Sequence, residues 1–412
     1  MRVLYVVSAF ARDEHDVITP WLAQSLARLR ARGVDAEVLA PAYRGLADQE
    51  IDGIPVHRFR YAPARFEDLT HDQTAPDRVR ERPAYLGLVP GYVAAGAAAA
   101  VRLARSRRFD LVHVHWPIPH ALIGMAARTA GRIPLILSFH GVELTWTRGQ
   151  LRPLRPLLRR MIRTADGVTA NSSYTVRLIR MIHDRPIARI PFGATIEPPA
   201  EHAREAAPQA GRLNLLFVGR LVERKGVRHL LDALARIEPA RRPHLHIVGE
   251  GPLRAELETQ SRALALTGDV AFHGFVPPDT LAAHLGAADV FVLPAVFDEK
   301  GDTEGLGVVL VEALGHGVPA IASDVGGIPD VVRHERTGLL VPPGDSEALR
   351  RSILRLADDP ALAHRLGKEG RLHVSREFAW PAITDRLILL YRDVVSAWHD
   401  RHSRASASLE DT

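Results

Sequence analysis

The sequence predicts an α/β protein of two doubly wound, Rossmann-like domains that face each other across a cleft. Three observations carry that expectation. Short Val/Leu/Ile runs alternate with helix-length amphipathic segments, the pattern of βαβ units. The alternation breaks once, near the middle, and then restarts. And 412 residues, 46% of them hydrophobic, exceed what a single core usually serves and suit two.

The first set of runs is Val3 to Val7, Ala36 to Leu39, Leu111 to Val114, Leu135 to Phe139, Val168 to Ala170 and Ile187 to Ile190. Runs this apolar suit strands buried on both faces. Between them Trp21 to Arg32 reads as a helix, because Leu22, Leu26 and Leu29 recur at helical spacing. Glu197 to Gly211 is rich in Pro and Ala and reads as linker. The second set is Leu213 to Val218, His244 to Val248, Val290 to Leu293, Pro319 to Ala322 and Leu339 to Val341, with a helix at Val227 to Ile237. Trp380 to Trp398 is a last helix, expected to pack back on the first domain, and a disordered polar tail is expected after it. The domains are therefore bounded at 1–195 and 213–378, joined by 196–212, with the helix at 379–400 and the tail at 401–412.

Composition excludes several classes. Cysteine is absent, so disulfides, thiolate metal sites and thiol nucleophiles are all excluded, and a cytoplasmic protein is expected. Met1 to Phe10 imitates a signal peptide, but the apolar run is short and acidic residues follow at once. The Ala-rich stretch Tyr92 to Val101 is half the length a bilayer needs, so no membrane span is expected. The net charge of +5 conceals an asymmetry: residues 1–200 hold 28 basic against 18 acidic groups, whereas residues 201–412 hold 25 against 30. Arginine supplies all but three of the cations, the exceptions being Lys225, Lys300 and Lys368.

Ligands of doubly wound sheets bind beyond the carboxyl ends of the strands, which directs attention to three loops. The first, Gly219-Arg220-Leu221-Val222-Glu223-Arg224-Lys225-Gly226, sets two cations five residues apart between glycines before a helix. That can present charge and backbone amides to a diphosphate, or be a solvated turn; it lacks the Lys-Ser/Thr of a Walker loop. The second, Gly249-Glu250-Gly251-Pro252, has Arg254 where a dinucleotide fingerprint needs its third glycine, which disfavours a nicotinamide enzyme. It is either a plain turn or a close approach of backbone to a planar ligand. The third runs from Ala295 to Gly307 and carries Glu304, with Glu312 eight residues on. The glycines at 305 and 307 place Glu304 in the loop rather than the helix. One of the two carboxylates could then reach sugar hydroxyls and the other a ribose diol, while the amides of Leu306 to Val308 meet phosphate; the alternative is an exposed acid at a helix start and a Glu on a helix face.

The Glu304 to Glu312 arrangement is followed by Ala-Leu-Gly-His-Gly-Val-Pro-Ala-Ile-Ala-Ser-Asp-Val-Gly-Gly-Ile-Pro-Asp. With the Gly219-Arg220 and Lys225-Gly226 pairs, it resembles the retaining glycosyltransferases of family 4, across nearly the whole chain. The resemblance implies a GT-B fold and sugar transfer from a nucleotide sugar, UDP- or GDP-linked, to a glycan, lipid-linked or other hydroxyl acceptor. It implies that Arg220 and Lys225 hold the diphosphate, that Glu312 holds the ribose, and that Glu304 contacts the transferred sugar. Gly249, Glu250, Gly251, Phe275 and Val276 would surround the base, and Gly305, Leu306, Gly307 and Val308 would complete the phosphate site. His140, within Ser138-Phe139-His140-Gly141-Val142-Glu143, would stand beside the sugar in the first domain. No metal or other cofactor is implied.

Two departures from the family pattern stand out. The segment Ser8 to Asp13 lacks the usual glycine pair, which puts phosphate contacts from the first domain in doubt. The insertion Asp298 to Thr303 brings Asp302 and Thr303 within reach of the donor sugar. His113 and His115 share a strand face and could chelate, but no acidic cluster completes a shell, so satisfied histidines lining the cleft are expected. Arg148, Arg152, Arg155, Arg159, Arg160 and Arg163 crowd one helix. They read either as a solvated face or as an element drawn to an anionic membrane surface at the inner face of the membrane. Nucleic acid is not an expected partner, since no aromatic residues interleave the arginines. The alternatives kept open are a GT-B sugar-nucleotide 2-epimerase or phosphorylase, and a non-catalytic basic scaffold.

Overall fold

A computed structural model describes residues 1–13, 16, 18–149, 151–196 and 212–410, with side chains described as far as residue 403. The expected linker therefore lies almost wholly outside the described residues. Met1–Asn171, Thr175–Ile190 and Ile383–Thr412 form one compact unit; Ser172–Tyr174 and Pro191–Ala382 form the other.

The first unit is built on eight strands: β1 (Arg2–Val6), β2 (Asp35–Pro41), β3 (Gln49–Ile51), β4 (Ile54–Phe59), β5 (Leu111–His115), β6 (Leu135–Phe139), β7 (Gly167–Ala170) and β8 (Ala188–Arg189). Their order is β3-β4-β2-β1-β5-β6-β7-β8, and every pairing but β3 with β4 is parallel. All residues of β5, β6 and β7 are buried, as strands covered by helices on both faces must be. The strands β3 and β4, absent from the sequence reading, form a hairpin on an Asp52-Gly53 turn with positive φ at both residues, the backbone a two-residue hairpin requires.

The helix Leu88–Ser106 is nearly twice the length of the stretch read from sequence. Within Pro83–Ser106 it is the one segment among the described residues long and apolar enough to cross a membrane. Its Tyr92, Gly96, Ala99, Ala100 and Leu103 are nevertheless buried, and a Cβ on Gly96 would collide with Ile123 of the helix Pro117–Gly131. The rest of the segment is largely outside the core, with 28% of its most apolar stretch buried.

The second unit carries β9 (Asn214–Val218), β10 (His244–Val248), β11 (Val270–Gly274), β12 (Val290–Leu293), β13 (Ala320–Ser323) and β14 (Gly338–Val341), ordered β11-β10-β9-β12-β13-β14 and all parallel. The chain order reverses between β9 and β12, so the loops following these two strands flank the topological switch point.

The helix Trp380–Glu410 corrects the expected disordered tail, because helical backbone continues to Glu410. Once a helix is nucleated each further residue costs little, and Ala405, Ala407, Leu409 and Glu410 are good helix formers. From Ile383 on the helix belongs to the first unit, where Leu387, Ile388, Tyr391 and Val394 join the core of Val3, Tyr5, Leu22 and Leu26.

Candidate active site

In the second unit β9 is followed by Gly219, and the chain turns through a short 3-10 segment, Glu223–Lys225, before the helix Val227–Ala235. Gly226 has φ 67, and a Cβ there would strike the carbonyl oxygen of Pro294 in the loop after β12. That close approach brings Lys225 against Glu304: the Lys225 Nζ donates to Glu304 Oε2. Arg224 stands behind, with Nη1 at 4.0 Å from Glu304 and Nε at 3.8 Å from Asp302. Arg220 is exposed and makes no ion pair among the described residues. One loop thus offers three cations, two engaged by carboxylates and one turned to solvent.

Glu304 lies in the loop, and the helix Val308–Gly315 begins only after Gly307, whose φ of 83 breaks the chain direction. Burial works to raise the Glu304 pKa, but Lys225, Arg224 and the Gly307 N–H together hold it below the usual carboxylate value. It is ionised at neutral pH. Asp302 goes the other way, raised by burial and by the neighbouring Asp298 and Glu304 charges against the pull of Arg224.

Three features of these loops have partners within the chain. Thr303 does not reach outward: it is buried and its hydroxyl donates to the Val296 carbonyl at 2.8 Å, closing the inserted loop on itself. Glu250 is tied to Arg254 at the exposed start of the next helix. And the glycines at 249 and 251 are required by the chain itself. A Cβ on Gly249 would meet the Gly219 carbonyl oxygen, and one on Gly251 the Leu221 backbone. The loops after β9 and β10 lie on each other, joined by Leu221 N–H to Glu250 O at 2.9 Å and Leu253 N–H to Leu221 O at 3.1 Å. Phe275 follows β11 with its ring 66% exposed, and Val276 is half-buried beside it.

Glu312 is buried, and its Oε1 accepts from the Thr195 hydroxyl at 2.5 Å and from the Thr195 and Ile196 N–H groups at 3.1 and 3.3 Å. Burial raises its pKa against those three donors. Part of its hydrogen-bonding capacity is therefore spent on the chain.

Sequence reasoning missed Arg224 as a partner of Glu304, Thr195, and the role of Gly326 and Gly327. Those two glycines admit the backbone of Glu304 and Gly305, and Gly327 N–H donates to Glu304 O at 3.0 Å. The Gly-Gly pair was a visible signal; the position it serves, about 22 residues earlier in the chain, was not.

In the first unit His140 follows β6. Its N–H donates to Glu143 Oε1 at 2.7 Å and its Nε2 is 3.0 Å from His115 Nδ1, the two rings stacked with centroids 5.1 Å apart. Trp21 and Trp116 flank it, with centroids at 5.4 and 4.6 Å. Burial, then the neighbouring His115, holds His140 well below the usual imidazole pKa, and burial pushes His115 down to about 3. Both rings are neutral at pH 7. His113 hydrogen-bonds Tyr391 at 2.7 Å and Ser138 at 2.6 Å, so it serves the core. The glycine-free segment after β1 is packed internally: Arg58 donates to the Phe10 and Ala11 carbonyls, and Thr70 to Ser8 O at 2.7 Å.

Residues 18–193 match the family described as Glycosyl transferase 4-like domain, and residues 200–373 match Glycosyl transferases group 1. Two curated relatives are mannosyltransferases. One is the GDP-mannose-dependent monoacylated alpha-(1-6)-phosphatidylinositol monomannoside mannosyltransferase of Corynebacterium glutamicum, 33% identical over 71% of this chain and 78% of the relative. The other is the GDP-mannose-dependent alpha-(1-6)-phosphatidylinositol monomannoside mannosyltransferase of Mycobacterium tuberculosis, 34% identical over 65% of this chain and 72% of the relative. Among solved structures, sucrose-phosphate synthase from Thermosynechococcus elongatus superposes with a TM-score of 0.76 at 25% identity, covering 96% of this chain and all of that one. The chain belongs to glycosyltransferase family 4 and has the GT-B fold. It is a sugar-transferring enzyme.

Proposed function

We propose that the enzyme transfers a hexosyl group, with retention at the anomeric carbon, from a GDP-sugar to an anionic, lipid-linked hydroxyl acceptor. The observation that carries the reading is the loop after β9, where Lys225 and Arg224 bracket Glu304 and Arg220 stands exposed. Cations placed on the diphosphate stabilise the negative charge that develops as the leaving group departs. Glu304, kept ionised, accepts hydrogen bonds from hydroxyls of the transferred sugar. Lys225 pairs with Glu304, and a diphosphate would compete for the ammonium. The amides of Gly305, Leu306 and Val308 at the helix start add donors to the phosphate, and the exposed Phe275 ring offers a face to the base. Glu312 is assigned the ribose through its second oxygen, and His140 the sugar from the first unit.

The nucleotide and the acceptor class follow the two mannosyltransferase relatives, with mannose the first sugar to try. Exposure supports the lipid reading. Arg148, Arg152, Arg155, Arg159, Arg160 and Arg163 are all exposed around Leu154 and Leu157, an arrangement that meets an anionic surface with both charge and apolar contact. The proposed location is the cytoplasmic face of a membrane. The reaction is proposed to need no metal, the cations of the loop serving the diphosphate.

A melting-temperature panel of GDP, UDP, ADP and dTDP sugars tests the donor, since the true donor stands out by mass action. Incubation of the best donor with phosphoinositide-type acceptors and assignment of the product anomer by NMR tests the rest. Stabilisation by a UDP-sugar alone, or an inverted product, would overturn the reading.

A further inference from the structure

We infer that the second unit holds a binding site for one borderline divalent transition ion, of the Zn2+ class, formed by His246, His273 and His284. His246 lies on β10, His273 on the edge strand β11, and His284 in the last turn of the helix Pro278–Ala287. Each offers one ring nitrogen, and the three nitrogens fall within 4.8 Å of one another. His246 Nδ1 stands 3.0 Å from His273 Nε2, and the His273 and His284 ring centroids are 4.6 Å apart.

Three features favour an ion over a chance grouping. Ligand nitrogens on one tetrahedral zinc, with bonds of about 2.0–2.1 Å, are about 3.4 Å apart, so the rings need only rotamer adjustment to converge. The ligands are all imidazole, the donor that suits Zn2+, Ni2+ and Cu2+ and not Mg2+ or Ca2+. And the three elements come from 39 residues of chain that the fold brings together: His246 pairs with Ala271, the register shifts at His273, which falls between the partners of Ile247 and Val248, and the His246 and His273 rings stack with centroids 5.2 Å apart. The helix supplies the third ring. His273 is exposed and His246 and His284 are half-buried, which leaves an entry path and a fourth position for water. This ion acts as a staple, tying the edge strand β11 to β10 and to the helix.

The test uses the full chain, stripped with chelator and then equilibrated with micromolar ZnCl2. One tightly bound Zn2+ per chain by elemental analysis is expected, with a rise in melting temperature that MgCl2 and CaCl2 do not produce. His273→Ala and His284→Gln, judged folded by their metal-free melting temperatures, should each lose at least tenfold in Zn2+ affinity and the metal-dependent shift. Should either variant fail to fold, Co2+ loading of the unmodified protein decides: intense visible bands of a four- or five-coordinate nitrogen site are expected, and the weak spectrum of the hydrated ion would overturn the proposal. So would the absence of a saturable equivalent, or one retained in both variants.

Discussion

Lys225 and Glu304 illustrate how one contact can be both an architectural result and a chemical device. Removing the ammonium in Lys225→Ala should lower kcat/KM by about 10²–10³, the range seen when one preorganised charge or donor is deleted. Circular dichroism should stay unchanged, since Lys225 is on a loop; unaltered turnover would remove it from the site. The carboxylate makes a pH prediction. A Glu whose folded pKa lies below its unfolded value of about 4.5 contributes stability that is present above that value and lost as pH falls through the folded pKa. Melting curves of wild type and Glu304→Gln should therefore converge on acidification below about pH 4.5, and a constant gap would contradict the assignment. Glu312 has the opposite sign, because burial raises its pKa and the ionised form at neutral pH is the costly one. Glu312→Gln, which keeps an acceptor for Thr195, should be nearly neutral for stability at pH 7. Glu312→Ala should cost about 1–3 kcal/mol by stranding the Thr195 and Ile196 donors.

Among the elements, the loops after β9, β10 and β12 behave as one interlocked body held at its glycines. Gly226→Ala combines a left-handed φ of 67 with a collision at Pro294, and should cost about 2–4 kcal/mol by urea denaturation. Sequence periodicity found the central strands, whose continuous apolar runs reflect burial on both faces. It missed β3, β4 and β11. Edge strands such as β11 alternate between half-buried and exposed positions, Val270 and Phe272 against Ala271 and His273, and so lack a run. The β3 and β4 hairpin was announced by Asp52-Gly53, a turn signal rather than a hydrophobic one. The three-histidine cluster was hidden for the same reason, since His273 rides on the unread edge strand.

For the molecule as a whole, the C-terminal helix makes the first unit depend on residues that follow the second in the chain. Tyr391 bonds both Tyr5 and His113, and Asp385 and Arg401 pair with Arg32 at 2.6 Å and Asp166 at 2.8 Å. A chain ended after Ala382 should lose the first unit's calorimetric transition or shift it sharply downward, while the second unit melts nearly as before. The charge asymmetry also belongs to this scale. If the exposed arginines meet an anionic surface, sedimentation with anionic vesicles should fall steeply between 50 and 500 mM salt, on the scale set by a Debye length of about 10 Å at 0.1 M. It should fall again in Arg155→Glu/Arg159→Glu. Salt-insensitive activity on a neutral soluble acceptor would return those residues to a solvated face.

Local chemistry determined a good deal. Apolar runs set two parallel sheets, the break near residue 200 set two domains, and glycines around acidic and basic residues marked the loops where a doubly wound fold binds ligands. What the chain could not show in one dimension is which groups meet. The pairing of Lys225 with Glu304, the service of Gly249 and Gly251 to neighbouring backbone, the partial occupation of Glu312 by Thr195, and the convergence of three histidines all join residues distant in sequence. Only the packed fold decides them, because each rests on a close approach that burial of the sheets imposes and that no periodicity records.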